Sequence, residues 1–144
     1  RSHSGKSTLV AELVKSGAKY YSDEFAVIDS KGYVLPYPKP ISLRHHLTKV
    51  QHDVSIESIG GKVGKQPLPV ELILITHYEK GARWNPQPLS SGQGMLHLLD
   101  FSHSAQRDPE RAMKMLKRVA EKAKILSSPR GEAKKIAPLV LAEV

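Results

Sequence analysis

The chain has 144 residues and no cysteine, so it is long enough to bury one hydrophobic core, and disulfide scaffolds and thiolate chemistry are excluded. It contains no apolar run of membrane-spanning length and no signal-peptide pattern, and we expect a cytoplasmic protein with no membrane partner. The net charge of +8 raises the question of nucleic-acid binding, but much of the excess falls on helices whose other face is apolar. Solvated helix faces are therefore the favoured explanation.

The first eight residues, R-S-H-S-G-K-S-T, match the end of the phosphate-loop template G-x-x-x-x-G-K-[ST], whose first glycine would fall before Arg1. In such a loop, backbone N–H groups surround the phosphates, the lysine contacts the β- and γ-phosphates, and the serine hydroxyl binds Mg²⁺. The alternative is a Gly-Lys-Ser turn without a ligand. We predict one domain over residues 1–144, lacking the upstream strand and the first glycine. The predicted nucleotide contacts are Ser2, His3, Ser4, Gly5, Lys6, Ser7 and Thr8.

The segment after the loop has a helical pattern, with an apolar stripe over residues 9–14 and Gly17 placed to cap the end. A short β-prone run follows over 19–22. Residues 25–29 predict a buried strand that turns back into a partner over 33–35. The three prolines between positions 36 and 40 then prevent a sheet ladder.

The middle of the chain is less regular. Residues 41–51 have helix-compatible apolar spacing, and residues 52–69 predict a mobile loop. Residues 70–76 are almost entirely apolar and predict a central strand that is covered on both faces. A loop over 81–88 should follow this strand.

The last third predicts helices with clear start signals. Ser90 or Ser91 should cap a helix that runs to about Phe101. Asp108 and Pro109 begin another helix through about Lys122. We expect a short strand near residues 125–126 and a final helix from 128–129 that is kinked at Pro138, which completes an α/β fold with a mixed sheet and C-terminal helices.

Two groups of charged residues are candidates for phosphoryl-transfer chemistry. Asp23 and Glu24 stand at the end of a strand-like run, where a βαβ unit would open on the same edge as the phosphate loop, and carboxylates there can hold Mg²⁺ or accept a proton. The alternative is that they merely begin a hairpin. Arg83 follows the long strand and could supply charge to the γ-phosphate, although a loop arginine can also be simply solvated.

The run S-G-K-S-T-L-V-A-E-L-V-K-S-G-A-K-Y-Y-S-D-E resembles the nucleotide-binding core of the HPr serine kinase/phosphorylase family. The resemblance implies an ATP-dependent kinase with the phosphate-loop fold shared with phosphoenolpyruvate carboxykinase. It places Asp23, seventeen positions after Lys6, as the base that takes the proton from an acceptor serine. It also implies that Ser7 and neighbouring carboxylates bind Mg²⁺.

The sequence departs from the family at defined positions. The second acidic residue is Glu24 instead of aspartate, and the E-[IVL]-R-G-x-G signature is not present. Its nearest counterpart is I-E-S-I-G-G over residues 56–61, which would supply Glu57 to the metal. The runs P-Y-P-K-P-I-S-L and G-A-R-W-N-P-Q-P-L-S are more similar to the HPr-kinase-related branch than to the true enzymes.

The sequence thus predicts Mg·ATP-dependent phosphoryl transfer to a hydroxyl, with a serine on a small protein or peptide as the acceptor. The predicted catalytic residues are Asp23, Lys6 and Arg83, and the predicted metal ligands are Ser7, Asp23, Glu24 and Glu57. A small-molecule kinase, a non-catalytic ATP-binding regulatory module and a basic polyanion binder remain alternatives. The sequence leaves open whether the protein forms a homo-oligomer.

Overall fold

The computed structural model describes residues 5–44 and 51–144. This part of the chain is a mixed α/β fold with five α-helices, one short 3-10 helix and several small sheets. The α-helices are α1 (Lys6–Lys15), α2 (Ser91–Asp100), α3 (His103–Arg107), α4 (Pro109–Lys122) and α5 (Ala133–Leu141), and the 3-10 helix spans Glu57–Ile59.

The strands are short, with two exceptions of seven residues each. They are β1 (Lys19–Tyr20), β2 (Val27–Ile28), β3 (Tyr33–Leu35), β4 (Ile41–Arg44), β5 (Gln51–Val54), β6 (Lys62–Val63), β7 (Leu68–Pro69), β8 (Leu72–Tyr78), β9 (Gln87–Pro88) and β10 (Lys124–Arg130). The pairs β1–β6 and β8–β10 are parallel. The pairs β2–β3, β3–β7, β4–β5 and β9–β10 are antiparallel.

Helix α1 lies between two hydrophobic clusters. Ala11 and Val14 pack with Tyr20 of β1 and with β4 and the 3-10 helix, while Leu9 packs with Ile136 and other side chains of α5. The helix ends as predicted: the N–H groups of residues 17 and 18 bond to the carbonyls of residues 14 and 13 in a Schellman motif. Burial on two sides holds the start of α1 in a fixed position.

The long strands β8 and β10 run side by side from Leu72↔Lys124 to Tyr78↔Arg130. Helix α4 covers one face through a cluster that includes Val119, Ala120 and Ile125. The strand predicted over 70–76 is therefore confirmed, but its central place in the sheet is wrong. Within the described residues the order is β8-β10-β9, so β10 is the central strand.

Two of the predicted helix starts, at Ser90 and Asp108, are confirmed. The Ser90 hydroxyl accepts the N–H of Gln93, and the Gln93 side chain accepts the N–H of Ser90, so this serine forms a capping box for α2. The Asp108 carboxylate accepts the N–H of Arg111 and caps α4, with Pro109 at the first helical position.

Other predictions need correction. Residues 25–29 form only the two-residue strand β2, in which Val27 is exposed, because the hairpin covers the core with one face alone. The helix expected over 41–51 is wrong where the structure describes it: β4 and β5 are antiparallel strands, and residues 45–50 lie outside the described part.

Residues 52–69 are not a loop throughout, since they contain the end of β5, the 3-10 helix, β6 and β7. The final helix begins at Ala133 instead of near 128, because β10 continues to Arg130. Pro138 does lie inside this helix, and α3 was not predicted. None of the helices in the described ranges has both the length and the apolar character that crossing a membrane requires.

Candidate functional site

The start of α1 carries the Gly5-Lys6-Ser7 sequence that matches the second half of the phosphate-loop template. Gly5 precedes the helix with φ 71°, in the left-handed region that favours glycine, and its carbonyl accepts the N–H of Leu9 at 3.1 Å. The first turn of α1 contains no acidic side chain. The positive end of the helix dipole therefore lies here without a neutralising carboxylate on its own first turn.

Arg130, the last residue of β10, reaches this helix start. Its side chain is buried, with 2% of the residue exposed, and its Nη2 donates to the Gly5 carbonyl oxygen at 2.7 Å. A Cβ atom on Gly5 would lie 2.8 Å from the same Nη2, so a larger residue here would require the guanidinium to move. The motif and the end of the central strand thus meet at one point.

Tyr78 and Glu132 both act electrostatically on the Arg130 guanidinium. The Arg130 guanidinium lies over the Tyr78 ring, 5.9 Å from its centre, and the Tyr78 hydroxyl donates to the Glu132 carboxylate at 2.7 Å. Burial lowers the pKa of Arg130, and the charge of Glu132 opposes this effect. The hydrogen bond to Glu132 raises the pKa of Tyr78. Arg130 remains a cation at neutral pH because arginine is so basic.

The loop after β8 lies against the same edge. The N–H of Glu79 donates to the Arg130 carbonyl at 2.9 Å, and Trp84 packs on the cluster that contains Leu9 and Ile136. Arg83 is in this loop and is exposed. Its role at the γ-phosphate stays a prediction, whereas Arg130 is an arginine that contacts the motif itself.

The predicted loop residues fall into two groups. Gly5, Lys6, Ser7 and Thr8 are consecutive at the start of α1, and Lys6 and Thr8 are exposed. Ser2, His3 and Ser4 lie outside the described residues.

Asp23 lies in the segment that follows β1, and β1 belongs to a different sheet from the one that contains Arg130. The Tyr20 hydroxyl is 3.2 Å from the Asp23 Oδ1 atom and 2.8 Å from the Lys39 carbonyl oxygen. Tyr20 is 1% exposed, and burial together with the nearby Asp23 carboxylate raises the pKa of Tyr20 to about 12. A neutral, buried hydroxyl therefore holds the carboxyl that we predict as the base.

The other predicted carboxylate ligands of the metal, Glu24 and Glu57, are exposed. Glu24 is 4.0 Å from the Lys39 ammonium, and Glu57 lies on the 3-10 helix that packs against α1. In residues 5–44 and 51–144, no three His, Cys, Asp or Glu side chains come close enough together to hold a metal ion as a group. Asp23, Glu24 and Glu57 are therefore not joined in one cluster of ligands.

Sequence reasoning missed Arg130, although the run S-S-P-R-G-E contained a signal. A charged residue directly after an apolar strand and before a glycine is typical of a functional strand end. The proline concealed the strand, since proline is rare in a central strand. The structure explains its place: β9 pairs only as far as Ser127, so Pro129 lies where β10 has a neighbour on one side.

No family model matches the chain, and neither the curated proteins nor the solved structures include a match to it. The geometry of the site therefore has to carry the functional argument.

Proposed function

We propose that this protein binds Mg·ATP at the start of α1 and transfers the γ-phosphoryl group to a hydroxyl, with a serine of a small protein or peptide as the acceptor. The observation that supports this proposal is the buried Arg130 guanidinium on the Gly5 carbonyl, beside the Gly-Lys-Ser sequence. The same proposal includes the phosphate-loop fold and the relationship to the HPr serine kinase/phosphorylase family.

The residues present fit a polyphosphate ligand. Arg130 and Lys6 place positive charge at the positive end of α1, where the helix dipole and backbone N–H groups also favour an anion. Glu132 offsets part of this charge, but its carboxylate is hydrogen-bonded by Tyr78. The ligand that fits best is therefore strongly anionic, as a triphosphate is.

Each residue has a role that follows from its chemistry. Lys6 and Arg130 stabilise negative charge on the transferring group, and the Ser7 hydroxyl is a suitable ligand for Mg²⁺. Mg²⁺, when bound, would neutralise phosphate charge. It is commonly held by one or two carboxylates together with substrate phosphates, so Asp23, Glu24 or Glu57 could serve without forming a cluster of three.

Asp23 is proposed to take the proton from the acceptor hydroxyl. The single phenolic proton of Tyr20 is shared between the Asp23 carboxylate at 3.2 Å and the Lys39 carbonyl oxygen at 2.8 Å. This contact holds the Asp23 carboxylate in place. Tyr20 thus acts as a positioning residue for the proposed base.

Calorimetry with Mg·ATP tests the nucleotide site. We expect Lys6→Ala to weaken binding at least about ten-fold, which corresponds to ~1.4 kcal/mol. Lys15→Ala is the matched control, because Lys15 is on the same helix at its other end and pairs with Glu12 on the surface. Equal binding in both variants would contradict the proposal.

Transfer is then measured with γ-labelled ATP and a pool of serine peptides, comparing the wild type with Asp23→Asn. Label on peptides that depends on Asp23 supports the kinase. Label on metabolites alone would indicate a small-molecule kinase, and binding without any transfer would indicate a regulatory module.

A further inference from the structure

An open groove of about 980 Å³ lies between the β2–β3 hairpin and the helices α3 and α4. Its lining includes apolar side chains from both sides, among them Ile28, Ala112 and Met115. Phe25, which is 44% exposed, stands at the groove with its ring edge-to-face on His103 at 5.3 Å between centres. The groove therefore offers an apolar surface that a partner side chain could cover.

The acidic side chains of the groove are all engaged within the protein. The Asp29 carboxylate accepts the N–H groups of Lys31 and Tyr33 at 2.8 and 2.9 Å, and these bonds hold the pKa of Asp29 below its usual value. Asp108 caps α4. Glu110 accepts from the Lys114 ammonium at 2.6 Å.

Arginines on the same wall are not engaged in this way. Arg107 and Arg111 are exposed, and across the two described ranges neither guanidinium has a hydrogen bond or an ion pair. Arg118 donates one N–H from Nη1 to the Ser30 carbonyl at 2.7 Å, which leaves most of its five donors for other contacts. Guanidinium donors beside an apolar floor are complementary to carboxylates that flank an apolar side chain.

We propose that this groove binds an acidic segment of another protein, with carboxylates on Arg107 and Arg111 and one apolar side chain between Phe25 and Met115. A nucleic acid fits less well, because the groove presents one Phe ring, already in contact with His103, where single strands usually stack on several free aromatic faces. The proposal does not depend on phosphoryl transfer.

The test selects short random peptides displayed on phage against the immobilised protein, and then measures a selected peptide by fluorescence anisotropy. We expect the selected peptides to contain two or more acidic residues around a large apolar one. The double variant Arg107→Glu/Arg111→Glu should weaken binding about 30-fold or more, as loss of a binding hot spot does. Phe25→Ala should weaken it about ten-fold.

The control is Lys134→Glu/Lys135→Glu, which makes the same change in net charge on exposed residues of α5 outside the groove. It should change affinity less than about three-fold, as screened surface charges do. Circular dichroism verifies that each variant is folded. The proposal is overturned if no peptide is enriched or if both double variants weaken peptide binding equally. It is also overturned if poly(U) RNA displaces the peptide and the affinity of the RNA is the same in wild type and Phe25→Ala.

Discussion

The Arg130 guanidinium donates to the Gly5 carbonyl oxygen at 2.7 Å, across 125 positions of the chain. This bond connects the end of the central strand β10 to the start of α1. It also fixes a buried cation beside the Gly-Lys-Ser sequence. Two predictions follow from this bond, one for stability and one for ligand binding.

Replacing Gly5 by alanine should destabilise the protein in two ways. Its φ of 71° costs a residue with a Cβ about 1–2 kcal/mol, and the new Cβ would lie 2.8 Å from the Arg130 Nη2 atom. The destabilisation that comes from the close contact with Nη2 should disappear when Arg130 is also replaced by alanine. Urea unfolding of the single and double variants measures this coupling.

Gly17→Ala is the control for that cycle. Gly17 has φ 105°, but no atom lies within 4 Å of the position that its Cβ would occupy. Its cost should therefore be the same with and without Arg130. If Gly5→Ala lowers the free energy of unfolding by the same amount with and without Arg130, the close approach of the two residues does not affect stability.

Replacing Arg130 by lysine should weaken Mg·ATP binding about ten-fold, or ~1.4 kcal/mol. A lysine keeps the charge, but its single ammonium cannot reproduce the planar guanidinium fork that donates to the Gly5 carbonyl and can bind phosphate oxygens in a bidentate way. Calorimetry compares it with Arg83→Lys, in the exposed loop after β8. Weaker binding in Arg83→Lys alone would favour the arginine indicated by the sequence.

The sequence predicted α1, α2 and α4, because the signals that begin or end these helices are local. Gly17, Ser90 and Asp108 each stop or start a helix through bonds to residues within a few positions. The small strands were predicted poorly, because β4 and β6 pair with partners that no local pattern identifies. Residues 41–44 form a strand because they pair with β5, although their apolar spacing is compatible with a helix.

The candidate site divides in the same way. Gly5, Lys6 and Ser7 were identified from a contiguous motif that depends only on spacing. Arg130 was missed because its contact spans most of the chain, and because Pro129 made its strand seem to end early. The interaction of Tyr20 with Asp23 was likewise invisible, since nothing in the short run between them indicates that the tyrosine turns inward.

Replacing Ser90 by alanine should destabilise the protein by about 1 kcal/mol, because the hydroxyl satisfies the N–H of Gln93 at the start of α2. Ser91→Ala is the matched control. Ser91 is the first residue of the helix and is exposed, so its replacement should leave the free energy of unfolding almost unchanged. Thermal unfolding followed by circular dichroism distinguishes the two, and an equal loss would show that the cap contributes nothing specific.

Replacing Tyr20 by phenylalanine should lower stability most at neutral pH. The pKa of Tyr20 is raised from 10.0 to about 12 in the folded protein, so its contribution is complete below pH 10 and is lost as the pH increases towards 12. The difference in unfolding free energy between wild type and Tyr20→Phe should therefore be constant from pH 7 to 9 and shrink above pH 10. Urea unfolding at several pH values measures it.

Tyr21→Phe is the control for the loss of a hydroxyl as such, because the Tyr21 hydroxyl donates to the Gln66 carbonyl at 2.7 Å. Asp23→Asn completes the test. It removes the negative charge that helps to raise the pKa of Tyr20 in the folded protein, so the alkaline loss of stability should be smaller and should end at a lower pH in this variant. An alkaline profile that Asp23→Asn leaves unchanged would mean that the carboxylate does not act on Tyr20, and the proposed role of the Tyr20 hydroxyl in holding the Asp23 carboxylate would lose its support.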